Sequence, residues 1–189
     1  MNIALYFGSF NPVHVGHLII ANTIVSNSVF DRLWFVISPL NPLKPKISLL
    51  NEYHRKYMID LAIEGDSRFK TSNVEFSLPK PSYTIDTLTY LSEKYPEHSF
   101  SVIMGSDSYQ NLSKWKNYES ILKNYNIIIY NRPGYAPPEN LPSTVYLIKA
   151  PLLEISSTHI RELIKKKKSI KFFVPDLVME EIERNHYYR

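Results

Sequence analysis

At 189 residues, with 44% hydrophobic and 13% aromatic side chains, the chain is long enough to bury about 70% of the surface its unfolded form exposes, and its composition excludes a disordered or low-complexity protein. The absence of cysteine excludes a disulfide scaffold, a thiolate zinc site and a cysteine nucleophile, and is compatible with a reducing compartment. The net charge of +4 belongs to the tail, because residues 161–189 hold eight Lys or Arg against five Asp or Glu and leave a balance of +1 before them. A basic character of this kind is no argument for a nucleic-acid partner. The lysine run 165–168 reads as a solvated helix end.

Residues 3–7 form a short apolar run that stops at Gly8, the pattern of a strand buried on both faces. A helix is predicted over 16–26, a second buried strand over 33–37, and then a loop rich in proline and polar residues over 38–46. Asn51 is suited to cap a helix running to about 64, with Tyr53, Tyr57, Met58 and Leu61 on one face. A strand follows near 69–74, a helix after Ser82 to about 95, strands over 99–104, 126–130 and 145–147, and two helices near 157–167 and 175–184. About six strands interleaved with helices predict one α/β domain over 1–189, a doubly wound, mainly parallel sheet with a short C-terminal helical segment and ligands at the carboxyl ends of its strands. No apolar stretch approaches the roughly 18 residues of a membrane span, and the N-terminus lacks a basic leader. The expectation is a cytoplasmic, unprocessed protein with no membrane partner. No apolar surface stripe can be assigned from sequence, so a homo-oligomer is neither required nor excluded.

Two segments carry chemistry. The first, Gly8-Ser9-Phe10-Asn11-Pro12-Val13-His14-Val15-Gly16-His17, lies between the first strand and the first helix, where free amides and the positive end of the helix dipole favour phosphate. His14 and His17 are three apart, so in a helical turn they project from one face and can donate to oxygens of one phosphoryl group. Zinc would need another ligand, and none is adjacent. The glycines are mis-spaced for a dinucleotide fingerprint, and no P-loop Lys follows. The second segment, Ile155-Ser156-Ser157-Thr158-His159-Ile160-Arg161, opens a helix. Its hydroxyls could merely cap that helix, but Arg161 falls on the same face as Ser157, giving a second polyphosphate cradle.

Together the two segments resemble the (H/T)xGH and ISSTxIR signatures of the nucleotidyltransferases. Pro81-Ser82-Tyr83-Thr84-Ile85-Asp86-Thr87-Leu88, then Met104-Gly105-Ser106-Asp107 followed by Trp115, and the terminal Val174-Pro175-Asp176, resemble the bacterial nicotinate-nucleotide adenylyltransferase pattern over essentially the whole chain. Two departures are Ser9, where many members carry Thr, and Asn11, where Asp is commoner. The resemblance implies reversible transfer of AMP from ATP to nicotinate mononucleotide, with Mg²⁺ held mainly by ATP phosphates and no protein metal ligand. It implies His14 and His17 as catalytic residues and Gly8, Ser9, Phe10, Gly16, Ser157, Thr158 and Arg161 as ATP and phosphate binders. Asn11, Lys44, Tyr83, Thr84, Thr87 and Trp115 are expected at the nicotinate nucleotide, and Gly105 and Asp107 at a ribose. The rival readings are an adenylyltransferase for nicotinamide mononucleotide or phosphopantetheine, a non-catalytic nucleotide-binding module, and a nucleic-acid binder using the basic tail.

Overall fold

The computed structural model describes residues 1–27, 29–40 and 49–189. Six strands, β1 (Asn2–Gly8), β2 (Arg32–Ile37), β3 (Phe69–Ser72), β4 (Ser99–Gly105), β5 (Asn126–Tyr130) and β6 (Val145–Ile148), form one sheet in the order β3-β2-β1-β4-β5-β6. All five pairings are parallel. Seven helices connect or flank them: α1 (Val15–Ser26), α2 (Glu52–Ala62), α3 (Thr84–Lys94), α4 (Ser106–Gln110), α5 (Tyr118–Asn124), α6 (Ser157–Lys165) and α7 (Asp176–Arg184). This is the doubly wound α/β fold expected from the sequence.

The inner strands β1, β2, β4 and β5 read as largely apolar runs because both faces are buried. In β1, Ala4 and Tyr6 enter one core with α1, α2, α6 and α7, while Ile3 and Leu5 enter the other with α3 and α5. β2 alternates in the same way, with Leu33, Phe35 and Ile37 on the first side and Trp34 and Val36 on the second. Strand order reverses between β1 and β4, the switch point where ligands bind in such sheets. The register shows the opening: β1 pairs with β2 out to Gly8 and Ile37, but its pairing with β4 stops at Tyr6 and Ile103.

Two expectations need correcting. The strand predicted to reach 74 ends at Ser72, and a 3-10 turn, Val74–Phe76, follows and buries Glu75. Asn51 does cap α2, accepting from the Tyr53 amide at 2.9 Å, but the inward face carries Arg55, Met58 and Ile59, whereas Tyr53 and Tyr57 are exposed. The helix rotates toward Arg55 because its guanidinium satisfies carbonyls of neighbouring loops. Residues 106–124, to which the sequence reading assigned no element, hold α4, a 3-10 turn and α5. These pieces are too short for a helical period to register.

Candidate active site

The loop after β1 is built around rings. A Cβ at Gly8 would lie 2.8 Å from the Phe10 ring, so glycine lets the strand end close over it. Phe10 is buried in the left-handed region at φ 44°, a conformation that is strained for a bulky residue. Edge contacts to Tyr6, Phe35 and His17, at centroid distances of 5.6, 5.5 and 5.0 Å, hold it there. Arg55 is buried and donates to the carbonyls of Ser9, Ser38, Pro39 and Leu50, tying the ends of β1 and β2 to the start of α2. Hydrogen bonds from a charged donor contribute about 1.5–3 kcal/mol each.

His14 is the N-cap of α1, and its amide donates to Nδ1 of His17 at 3.2 Å. Nδ1 therefore accepts, which puts the proton of a neutral His17 on Nε2. The two imidazoles lie nearly face to face, with centroids 3.7 Å apart and an interplanar angle of 30°. Burial, aided by the positive charge of Arg132, lowers the His14 pKa to about 4, so this ring is neutral at pH 7. Gly16 lines neither cavity described below; a Cβ there would be 3.0 Å from His14 Nδ1, so its role is to admit that ring.

The second motif docks onto the first. Ser156 caps α6 by accepting from the His159 amide at 3.2 Å. The Ser157 hydroxyl donates to the Pro12 carbonyl at 2.8 Å, and Arg161 Nη1 donates to the Asn11 carbonyl at 2.7 Å. Nη2 of Arg161 reaches Thr158 Oγ1 at 3.2 Å. Asn11 is buried, and its Oδ1 accepts from the Leu50 amide at 3.2 Å. A cavity of about 300 Å³ lies between the motifs, lined by Gly8, Ser9, Phe10, Asn11, both histidines, Ser157, Thr158 and Arg161.

A second cavity of about 390 Å³ adjoins it across β4 and α3, with Tyr83, Thr84, Gly105, Asp107 and Trp115 among its lining residues. Tyr83 is the N-cap of α3, and its carbonyl takes the amides of Asp86 and Thr87 at 3.0 and 3.2 Å. Among the described residues nothing accepts from the amides of Thr84 and Ile85, the first-turn donors that a helix leaves unpaired. Lys116 sits 4.9 Å over the Tyr83 ring and pairs with Asp86 at 2.9 Å, fixing the Trp115 segment against that turn. Gly105 allows Asp107 and Arg132 to crowd the end of β4, since a Cβ there would collide with the Asp107 carboxylate and lie 2.9 Å from Arg132 Cγ. Asp107 faces Arg132 Nε at 3.5 Å.

Two contacts expected at the nicotinate nucleotide are placed elsewhere. Asn11 lines the first cavity and not the second. Thr87 is fully buried and lines neither cavity; its hydroxyl donates to Glu75 at 2.9 Å. Lys44 lies outside the described residues. Glu75, which sequence reasoning missed, also accepts from Ser82 at 2.6 Å and Ser38 at 2.9 Å, and burial raises its pKa despite these hydroxyls. Arg55, Arg132, Tyr6 and Tyr130 were missed as well. Single residues in strands and helices carry no local motif, and only the fold brings them to the site. Among the described residues no cluster of three or more His, Asp or Glu is arranged to hold a metal, and no helix is long and apolar enough to cross a membrane.

Residues 5–163 match the cytidylyltransferase-like family. A probable nicotinate-nucleotide adenylyltransferase from Cytophaga hutchinsonii is 50% identical over all of this chain and 98% of its own. The chain belongs to the nicotinate-nucleotide adenylyltransferase family, a group of nucleotidyltransferases. A second relative of that name, from Flavobacterium psychrophilum, is 47% identical over the full length of both chains. The Plasmodium falciparum nicotinic acid mononucleotide adenylyltransferase, solved in complex with NaAD, superposes with a TM-score of 0.84 at 25% identity, covering 99% of this chain and 97% of its own.

Proposed function

We propose that this chain transfers AMP from ATP to nicotinate mononucleotide, releasing pyrophosphate and forming nicotinate adenine dinucleotide. The observation that carries the reading is the pair of adjoining cavities. One lies between two motif loops tied through Pro12 and Asn11, and the other is lined by Trp115 and the first turn of α3.

Two phosphoanhydrides are exchanged, so alignment and charge stabilisation suffice without a covalent intermediate. ATP occupies the first cavity. Nε2–H of His17 donates to the α-phosphate while Nδ1 is held by the His14 amide. His14, neutral and stacked on His17, adds polarity without bringing a charge of its own against that ring. Arg161 has five donors; those beyond the bonds to Asn11 and Thr158 join the Ser157 and Thr158 amides at the β- and γ-phosphates. The residues suit a cation carried by phosphates and water, as Mg²⁺ commonly is, with Asp107 the carboxylate lining both cavities. Bound Mg²⁺ would supply charge neutralisation on the pyrophosphate.

In the second cavity Trp115 offers a stacking face for the pyridine ring. The Thr84 and Ile85 amides at the positive end of α3 suit its carboxylate. Glu75 acts behind this surface, holding Ser38, Ser82 and Thr87 together. The whole chain acts as one cytoplasmic catalytic unit. Pyrophosphate release from ATP and Mg²⁺ with nicotinate mononucleotide, nicotinamide mononucleotide and phosphopantetheine as separate acceptors tests the reading. Fast release with the nicotinate nucleotide and at least about tenfold slower release with the others is the expected outcome. Preference for another acceptor would reassign the substrate, and silence with all three would leave a binding module.

A further inference from the structure

Tyr6, Ser9, Asp107, Ser108 and Tyr130 are the polar side chains that line both cavities. Any reaction between a ligand in one cavity and a ligand in the other takes place along this shared wall. Tyr6 stands where the pairing of β1 with β4 ends, and Tyr130 is the last residue of β5. Both rings are buried in the first core, and their hydroxyl oxygens lie 3.2 Å apart. The Tyr6 ring also meets the edge of His17, with centroids 6.0 Å apart.

The protons can be counted. Each phenol carries one proton and can also accept, and a single hydrogen bond joins the two. One proton makes that bond. The other is engaged by no further bond among the described residues, and because both residues line the two cavities it is open to a ligand there. Burial also raises both phenol pKa values, so neither group ionises near neutral pH.

We propose that the Tyr6–Tyr130 pair is a hydrogen-bond donor to the phosphoryl group in transfer, acting beside His17. The inference deepens the adenylyltransferase reading and rests on it. As an oxygen of the acceptor 5′-phosphate bonds to the α-phosphorus, the bond to the bridging oxygen breaks and its electron pair leaves with pyrophosphate. The non-bridging oxygens gather charge meanwhile, and the spare phenol proton is shared with one of them and not transferred. A donor that strengthens only at that moment lowers the barrier without tightening substrate binding.

The test uses Tyr6→Phe, Tyr130→Phe and the double variant of the full chain, with both substrates varied and thermal unfolding followed in parallel. The more affected single variant should lose about 10- to 100-fold in kcat, with both KM values within about threefold of wild type. The other single variant should lose less, because the phenol that donates directly to the phosphoryl oxygen remains. The double variant should be no worse than the more affected single one, the non-additivity of groups acting as a unit. Three results would overturn the inference: kcat within about twofold of wild type in all three variants, a change in KM alone, or a kcat that falls only in step with the folded fraction. Wild-type turnover on nicotinate mononucleotide is measured first. Silence there overturns the adenylyltransferase reading and this inference with it, whereas an active wild type beside an undiminished double variant overturns the tyrosine role alone.

Discussion

The two cavities share a wall at the carboxyl edge of β1 but are assembled by different means. The first is made from two continuous stretches, Gly8 to His17 and Ile155 to Arg161, which meet through hydrogen bonds to the Pro12 and Asn11 carbonyls. The second draws single residues from the end of β2, the 3-10 turn, the start of α3, the end of β4 and the Trp115 segment. A phosphate site needs closely spaced amides and cations, which one loop and one helix start can supply. A pocket for a flat ring and its carboxylate needs surfaces facing one another, which only the packed layers provide.

The largest effect belongs to the first region. His17→Ala should lower kcat by about 100- to 1,000-fold, the loss expected for one preorganised transition-state donor, with KM for either nucleotide changing far less. A near-normal rate from folded His17→Ala would show that the motif loop binds ATP without acting on it. In the second region Glu75→Leu removes the common acceptor of Ser38, Ser82 and Thr87. It should destabilise the fold by about 2–4 kcal/mol in urea unfolding and raise KM for the acceptor about tenfold while leaving KM for ATP within about twofold. Equal increases for the two substrates would mean that Glu75 supports the whole cleft and not one half of it.

A smaller effect separates the regions by pH. The His14 pKa is about 4 in the folded chain against an ordinary value of 6.5, so between these values the unfolded state binds more protons. Stability therefore rises with pH through that window and is lost as pH falls from 6.5 toward 4. This one group contributes up to about 3 kcal/mol, at roughly 1.4 kcal/mol per pKa unit. Urea unfolding at pH 7 and pH 4.5 should show a shallower difference for His14→Asn than for wild type. Equal slopes would place the His14 ring in contact with solvent.

The contrast between the regions also explains what the sequence could show. Strands buried on both faces announce themselves as apolar runs, so β1, β2, β4 and β5 were legible to within a residue or two. The first cavity was legible because its amides, imidazoles and guanidinium are neighbours along the chain. Glu75 was not, since a lone acid after a short strand looks like a surface residue until the 3-10 turn carries it inward beneath α3. Arg55 is an ordinary helical arginine in sequence, and only the carbonyls of Ser9, Ser38, Pro39 and Leu50 give it a buried place. Thr87 was misjudged for the converse reason: it follows the residues at the start of α3, but its side chain turns to the core.

The division of labour between the cavities is tested most directly by measuring KM for both substrates in Arg161→Lys and Trp115→Ala. Arg161→Lys keeps a charge but loses the planar fork, and should raise KM for ATP about tenfold with little change for nicotinate mononucleotide. Trp115→Ala should do the reverse. If each variant weakened both substrates equally, the two cavities would not be separate sites for the two nucleotides, and the account would fail at its centre.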